Sequence, residues 1–206
     1  MSIPGQDASI AILGCGRVGS SLALALHGAG WNIAQLASFR TEASNELAGS
    51  IDGAASSTDA QASVYASTIV LLTVPDDAIE TVASSIAWSE HHTVLHCCGL
   101  HTLDVLEAAR TSGASVGSLH PLMAITDPQQ GAASLRGSTF AIEGEGDVHA
   151  LLTSMVESLG GHPVTIAPEH RALYHASAML VGGYLSALGA EAASLWSNLG
   201  LDPARG

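Results

Sequence analysis

An apolar run near the N-terminus breaks into three closely spaced glycines in Ile10-Ala-Ile-Leu-Gly-Cys-Gly-Arg-Val-Gly-Ser-Ser-Leu22. The spacing is G-x-G-x-x-G, which occurs where a strand turns directly into a helix that faces a dinucleotide. Gly14 permits the tight turn, Gly16 lets the backbone approach a pyrophosphate, and Gly19 lets the helix pack on the strand. Free N–H groups at the helix N-terminus favour the phosphates. The stretch therefore predicts a dinucleotide-binding turn, provided that the rest of the chain has the matching organisation.

The composition is that of an acidic globular protein. The chain has 206 residues, 47% of them hydrophobic, and its 19 acidic and 6 basic residues give a net charge of −13. This charge argues against nucleic-acid or membrane-surface binding. All the basic residues are arginines, which excludes Schiff-base and phosphate-loop lysines. The cysteines show no disulfide pattern and the N-terminus is not a signal peptide, so we expect a cytoplasmic location.

Strand and helix patterns alternate along most of the chain. We predict strands at 9–13, 32–38, 53–55, 68–74, 93–98, 114–119, 138–142 and 163–166. We predict helices at 17–29, 41–49, 58–66, 75–87, 102–110, 148–159 and 168–199, and a loop over the site at 125–137. This order is typical of an α/β fold with a doubly wound, mostly parallel sheet, followed by the start of an all-α domain. The predicted domains are 1–166 and 167–206.

The end of the second predicted strand indicates which dinucleotide binds. Sites specific for NAD place an acidic residue about 20 residues beyond the glycine turn to bind the ribose hydroxyls. Here the chain reads Ser38-Phe39-Arg40-Thr41, which suits a 2′-phosphate. We therefore predict NADP as the cofactor; the alternative is that Arg40 is a surface arginine after a strand.

Histidine and tyrosine side chains are the candidates for proton transfer. His120 follows a predicted strand and precedes Pro121, at the sheet edge where a nicotinamide would lie. On the last predicted helix, Arg171, Tyr174 and His175 share one face. We predict that Tyr174 and His175 lie in the cleft opposite His120, and that Arg171 holds a substrate carboxylate. The alternative is that these groups only make structural hydrogen bonds.

Two other groups of chemically active residues receive structural interpretations. The His- and Cys-rich stretch from His91 to His101 lacks a C-x-x-C pair, so a zinc site is not predicted. Cys98 lies at a strand end and is a candidate for facing the cleft, or a small packed residue. Asp76 and Asp77 open a helix, where carboxylates stabilise the helix dipole without any chemistry.

The last predicted helix is long and apolar. His175, Tyr184 and several small residues interrupt it, so we predict a buried helix rather than a membrane span. One helix cannot bury its own apolar face, and Asp202-Pro203 is typical of another helix start. We therefore expect the helical domain to continue beyond residue 206, and the chain to form a homodimer through these helices.

Several motifs together resemble a known bacterial family. They are Gly14-Cys-Gly-Arg-Val-Gly19, Val74-Pro-Asp-Asp77, His96-Cys-Cys-Gly99, Ser118-Leu-His-Pro-Leu122, Phe140-Ala-Ile-Glu-Gly144 and Leu173-Tyr-His-Ala176. The sequence resembles the Rossmann-like proteins with a helical C-terminal domain of unknown function (type 2520). In layout these are similar to pyrroline-5-carboxylate reductase, the deazaflavin-dependent NADP reductases and prephenate dehydrogenase. The resemblance implies an NADP site that includes Ser38 and Arg40, and a cleft that holds His120, Tyr174 and His175.

Motif and resemblance together predict an NADP-dependent oxidoreductase acting on a small carbonyl, hydroxyl or imine compound, with His120 as proton donor or acceptor. The predicted cofactor residues are Gly14, Gly16, Arg17, Val18, Gly19, Ser38, Arg40, Val74, Pro75 and Cys98. The predicted catalytic residues are His120, Tyr174 and His175. Two alternatives stay open: a sensor or partner protein that binds NADP without turnover, and a reductase of a flavin-like carrier.

Overall fold

A computed structural model describes residues 8–203, which form an eight-stranded sheet covered by helices on both faces. The strands are β1 (Ser9–Leu13), β2 (Asn32–Ala37), β3 (Ala55–Ser57), β4 (Ile69–Leu72), β5 (Thr93–His96), β6 (Ser115–Pro121), β7 (Thr139–Glu143) and β8 (His162–Thr165). Their order is β3-β2-β1-β4-β5-β6-β7-β8. The pair β6–β7 is antiparallel, and β8 pairs parallel to β7. The strand order reverses between β1 and β4, which is where such sheets bind their ligands. The doubly wound, mostly parallel fold predicted from the sequence is confirmed.

Helices follow most of the strands. They are α1 (Arg17–Gly28), α2 (Thr41–Ala48), α3 (Ala60–Tyr65), α4 (Ile79–Ser85), α5 (Glu107–Thr111), α6 (Pro128–Ser134), α7 (Gly146–Ser158), α8 (Arg171–Met179) and α9 (Leu185–Asn198). Short 3₁₀ turns precede α4, α5 and α8. The two core clusters lie on opposite faces of the sheet, because alternate residues of β1 belong to different clusters: Ile10 and Ile12 to one, Ala11 and Leu13 to the other.

The prediction of a loop at 125–137 is wrong, because α6 forms there. Asp127 accepts hydrogen bonds from the N–H groups of Gln129 and Gln130, both at 3.0 Å, and Pro128 begins the helix. The Asp-Pro pair is thus an N-cap and first helical residue rather than a turn. The helix packs on α1, where the Ser21 hydroxyl donates to the Pro128 carbonyl at 3.0 Å. This segment therefore covers the first helix and not the cleft.

The C-terminal helix, Pro168–Asn198, is exposed, so the prediction of a buried helix is wrong. A π-helical turn at Leu180–Tyr184 joins α8 to α9, and between residues 171 and 198 only Arg171 is buried. By length and composition the helix is apolar enough to cross a membrane. Many of its large apolar side chains face outward, among them Leu173, Leu180, Val181, Leu185, Leu188 and Leu195. Nothing else in residues 8–203 covers them.

Candidate active site

The three glycines of the turn do different things. Gly14 has a φ of +112°, and a Cβ there would lie 2.7 Å from the Thr73 carbonyl group. A Cβ on Gly19 would overlap the Gly14 carbonyl oxygen and the Thr73 hydroxyl, which itself donates to that oxygen at 2.7 Å. A Cβ on Gly16 would meet nothing within 4 Å. Two glycines therefore permit close packing, whereas Gly16 faces open space in which a phosphate fits.

A cavity of about 600 Å³ opens at the carboxyl ends of β1, β2 and β4. It is lined by eight of the predicted cofactor residues: Gly14, Gly16, Arg17, Val18, Ser38, Arg40, Val74 and Pro75. Gly19 and Cys98 do not line it, since Gly19 is buried behind the turn and Cys98 is 2% exposed. The sequence reasoning missed other lining residues, Phe39, Thr73 and Asp76. Their position at the carboxyl ends of β2 and β4 is the signal that points to them.

Two arginines supply the positive charge of this cavity. Arg17 begins α1 and Arg40 precedes α2; both are exposed. Among residues 8–203, neither has a carboxylate within ion-pair distance. Next to Arg40, the Ser38 hydroxyl accepts from the Arg40 N–H at 3.3 Å. Unpaired guanidinium groups beside a helix N-terminus suit both the pyrophosphate and the 2′-phosphate of NADP, so the residues present fit this cofactor.

The three predicted catalytic side chains lie together. His120 is at the carboxyl end of β6, and its Nδ1 is 2.8 Å from the hydroxyl oxygen of Tyr174 on α8. The ring of His120 also lies 6.4 Å from that of His175, centroid to centroid. Gly99 packs on the opposite edge of the imidazole, where a Cβ would be 2.8 Å from Nε2. A strand end, a glycine loop and the C-terminal helix therefore meet at His120.

Both members of the hydrogen-bonded pair are uncharged at neutral pH. Burial lowers the pKa of His120 to about 4; the nearby His175 and Arg171 lower this pKa as well, while Asp76 opposes them. Burial raises the pKa of Tyr174 to about 12. The pair can therefore hold and pass one proton without either group starting as an ion.

The prediction that Arg171 binds a substrate carboxylate is wrong. The side chain is 1% exposed, and its Nε donates to Oε2 of Glu143 at 2.6 Å. Its Nη1 donates to the Cys98 carbonyl at 3.2 Å and its Nη2 to the Ser118 hydroxyl. The guanidinium is thus occupied inside the protein and does not face the cleft.

Cys98 has a structural role in its loop. Its Sγ accepts hydrogen bonds from the N–H groups of Leu100 and His101, both at 3.3 Å. Burial raises the pKa of this thiol to about 11, so it is protonated and unreactive at neutral pH. The geometry does not support the predicted contact between Cys98 and the cofactor.

Asp76 connects the cavity to the catalytic cluster. It follows Pro75 at the end of β4, opens a 3₁₀ turn and lines the cavity. Its carboxylate is also close enough to His120 and Cys98 to act on both electrostatically. The interpretation of this residue as a helix-dipole carboxylate alone is therefore incomplete, because Asp76 lines the cavity and also acts electrostatically on His120.

Two family models match successive parts of the chain. Residues 9–98 match the family described as "NADP oxidoreductase coenzyme F420-dependent", and residues 138–206 match a domain of unknown function, DUF2520. The first range contains the glycine turn and the cavity; the second contains β7, β8 and the C-terminal helix. The resemblance stated from the motifs is thereby confirmed.

Solved structures share the fold at low sequence identity. A proposed NADP oxidoreductase from Bacteroides fragilis is 24% identical, with a TM-score of 0.85 over 98% of this chain and 76% of its own. A reductive aminase from Aspergillus terreus is 19% identical, with a TM-score of 0.73 over 96% of this chain and 69% of its own. Prephenate dehydrogenase from Aquifex aeolicus is 18% identical, with a TM-score of 0.67 over 79% of this chain and 62% of its own. No curated protein matches the sequence significantly.

Family match, fold and site chemistry agree. The match to the NADP oxidoreductase family covers the residues that line the cavity, and the cavity holds two arginines that have no carboxylate partner among residues 8–203. The chain is an NADP-dependent oxidoreductase with a Rossmann-like domain, followed by a helical segment of the DUF2520 type.

Proposed function

We propose that the protein reduces a small carbonyl or imine compound with NADPH, and that the His120–Tyr174 pair exchanges the proton. The observation that carries the proposal is the 2.8 Å hydrogen bond between His120 Nδ1 and the Tyr174 hydroxyl, at the side of the cavity that Asp76 borders. Bound NADPH supplies a hydride, and the reduced oxygen or nitrogen then needs a proton. An uncharged donor pair beside the cofactor cavity meets this need.

The pair passes the proton in a defined order. With Nδ1 protonated, the neutral imidazole of His120 donates a hydrogen bond to the Tyr174 oxygen, and the tyrosine hydroxyl gives its own proton to the substrate atom that gains an electron pair. The Nδ1–H bond stabilises the tyrosinate that remains, and a proton from solvent restores the hydroxyl. In the oxidation direction these steps reverse: the tyrosine oxygen, after losing its proton to solvent, accepts the proton of the substrate. The low pKa of His120 keeps the imidazole uncharged throughout at neutral pH. The ring of His175 lies 6.4 Å from the imidazole, centroid to centroid, and completes the cluster.

The surroundings of the pair favour a substrate without a carboxylate. Arg171 is paired internally, and the carboxylate of Asp76 is the charged group that borders the cavity next to the pair. A substrate carboxylate placed there would meet like charge. The reductive aminase with a similar fold was crystallised with NADPH and ethyl-5-oxohexanoate, a ketone, and in another structure with cyclohexanone and allyl amine. These ligands support an uncharged carbonyl compound, or the imine it forms with an amine.

The proposal is tested first by binding and then by turnover. Thermal unfolding is measured with NADPH, with NADH and without a dinucleotide. NADPH should raise the unfolding temperature, whereas NADH should not. Oxidation of NADPH is then followed at 340 nm with ketones, aldehydes and cyclic imines, with and without amines. The Tyr174→Phe variant should bind NADPH normally and lose at least about 100-fold in rate, the lower end of the range for a general acid. A Tyr174→Phe enzyme as fast as wild type would contradict the proton role.

We also propose the assembly in which the protein works. Residues 1–166 are assigned to the dinucleotide-binding domain and residues 167–206 to a helical segment that pairs with a second copy. The outward apolar face of the C-terminal helix supports this arrangement, since exposed patches of that kind mark interfaces. The substrate is then a small molecule, and the location is the cytoplasm, in keeping with the free cysteines and the acidic composition.

A further inference from the structure

Between residues 171 and 198, Arg171 is the one residue of the C-terminal helix that is buried. Its guanidinium contacts three separate segments of the sheet domain. It donates to Glu143 at the end of β7, to Ser118 in β6 and to the carbonyl of Cys98 after β5. An arginine with 1% exposure and all three nitrogens bonded is held in one position.

The three contacted positions surround His120. Ser118 lies two residues before His120 in the same strand, and it is the β6 partner of Glu143 in the β6–β7 ladder. Cys98 precedes Gly99, the residue whose backbone packs against the imidazole. Arg171 therefore connects the end of β7, β6 and the loop after β5, which are the segments next to His120.

Tyr174 depends on the same contact for its place. It follows Arg171 by three residues, and side chains with that spacing lie on one helix face. The π-helical and α9 segments beyond it bury nothing between 180 and 198. Arg171 is therefore the most deeply buried contact at this end of the helix, and the half-buried Tyr174 and His175 lie next to it.

We propose that Arg171 is a positioning residue, whose buried contacts with Glu143, Ser118 and Cys98 hold the helix so that Tyr174 reaches His120. The inference rests on the proposed function for its catalytic meaning, but the positioning can be measured without a substrate. Lysine is a poor replacement, because a single ammonium group cannot donate along three separate directions of a planar fork. The carboxylate of Glu143 makes burial of the charge possible.

The electrostatic effect of Arg171 agrees with this position. Its charge lowers the pKa of both His120 and Tyr174, although burial has the larger effect on each group. The guanidinium thus acts on both members of the pair while touching neither of the two polar atoms that form their bond.

The test measures the hydrogen bond between His120 and Tyr174 by NMR on the full chain without substrate. Long-range proton–nitrogen spectra report the His120 ring nitrogens in wild type, Tyr174→Phe, Arg171→Met, Arg171→Lys and Ser118→Ala. We expect the His120 Nδ1 signal of Arg171→Met to move to its position in Tyr174→Phe, although the tyrosine is present. Arg171→Lys, which keeps the charge, should restore part of the wild-type position.

The matched control removes an exposed arginine from a similar pair. Arg110→Met breaks the surface ion pair with Glu107, 3.0 Å long, and should leave the His120 signals unchanged. A folded Arg171→Met protein with a wild-type His120 Nδ1 signal overturns the proposal. If Arg171→Met does not fold, wild-type signals in both Arg171→Lys and Ser118→Ala overturn it. A changed His120 Nδ1 signal in Arg171→Met without any loss of turnover would count against the proposed proton role of the pair, and not against positioning.

Discussion

Gly99 packs directly against the imidazole of His120: a Cβ at position 99 would stand 2.8 Å from both Cε1 and Nε2 of the ring. A methyl group there must displace the ring, which is also bonded to Tyr174. We expect Gly99→Ala to lose about tenfold or more in NADPH-dependent turnover, a part of the roughly 10²–10⁴-fold that general acid–base catalysis contributes. Overpacking should also reduce the free energy of unfolding by about 1–3 kcal/mol. Steady-state kinetics and urea unfolding measure the two effects.

The control for this substitution is Gly189→Ala. Gly189 lies within α9, and a Cβ there would meet nothing within 4 Å. Alanine is the better helix former by about 1 kcal/mol, so this variant should keep its activity and not lose stability. If the two variants behaved alike, the contact between Gly99 and His120 would have no functional meaning.

The glycine turn allows its folding and binding roles to be separated. Gly19→Ala forces a Cβ into the Gly14 carbonyl and the Thr73 hydroxyl, so we expect it to lower the free energy of unfolding. Gly16→Ala meets open space and has an ordinary φ of −83°, so we expect an unchanged unfolding temperature without ligand but weaker NADPH binding. Thermal unfolding with and without NADPH distinguishes the two. Normal NADPH binding by Gly16→Ala would contradict the pyrophosphate site.

Arg40 should determine the preference for NADPH over NADH. Its exposed guanidinium lines the cavity, and no carboxylate among residues 8–203 pairs with it. A hydrogen bond to a charged group contributes about 1.5–3 kcal/mol, so Arg40→Ala should weaken NADPH binding by about 10- to 100-fold and leave NADH binding nearly unchanged. Titration of NADPH fluorescence measures both affinities, with Arg110→Ala as the exposed-arginine control. Equal weakening for the two dinucleotides would exclude a 2′-phosphate contact.

Stability should fall on acidification because two buried histidines resist protonation. Burial lowers the pKa of His96 to about 3 and that of His120 to about 4. Four groups face the imidazole of His120: His175, Arg171, the Tyr174 hydroxyl and Asp76. Only Asp76 favours the charged form of His120. The unfolded state, with histidine pKa values near about 6.5, binds more protons below that pH, so the free energy of unfolding falls from about pH 6.5 towards pH 4.

Urea unfolding across that pH range tests this expectation. Wild type is compared with His120→Asn, which removes one titrating group while keeping a polar side chain. The variant should show a shallower loss of unfolding free energy between about pH 6.5 and pH 4. Parallel curves for the two proteins would show that the pKa of His120 is not lowered by folding.

The apolar face of the C-terminal helix should form the contact between two copies. Leu188 is 68% exposed in the first turn of α9. We expect Leu188→Glu to convert a dimer into monomers, as measured by light scattering after size-exclusion chromatography, because a buried carboxylate without a partner is costly. Ser112→Glu, on the exposed end of α5, should leave the mass unchanged. A monomeric wild-type protein would contradict the proposed homodimer.

Most of the sheet could be predicted because its signals are local. The buried strand Ile69–Leu72 is a continuous apolar run, and the glycine spacing marks the turn from strand to helix. The strand-end rule then places Arg40 and Pro75 at one edge. The helix at Pro128–Ser134 was missed because an Asp-Pro pair is compatible with both a turn and a helix N-terminus, and only packing against α1 distinguishes them.

By itself, the sequence determined the doubly wound fold and the glycine turn, and it supplied the predictions that Arg40 binds a 2′-phosphate and that His120 and Tyr174 exchange a proton. These depend on residue type, spacing and periodicity over short ranges. Only the tertiary structure decided what Arg171 and Asp76 do. The charge of Arg171 is neutralised by Glu143, 28 residues away, and Tyr174 meets His120 across 54 residues of chain. Such pairings depend on how β5, β6, β7 and α8 pack, because a side chain's partner is chosen by the fold and not by its neighbours in sequence.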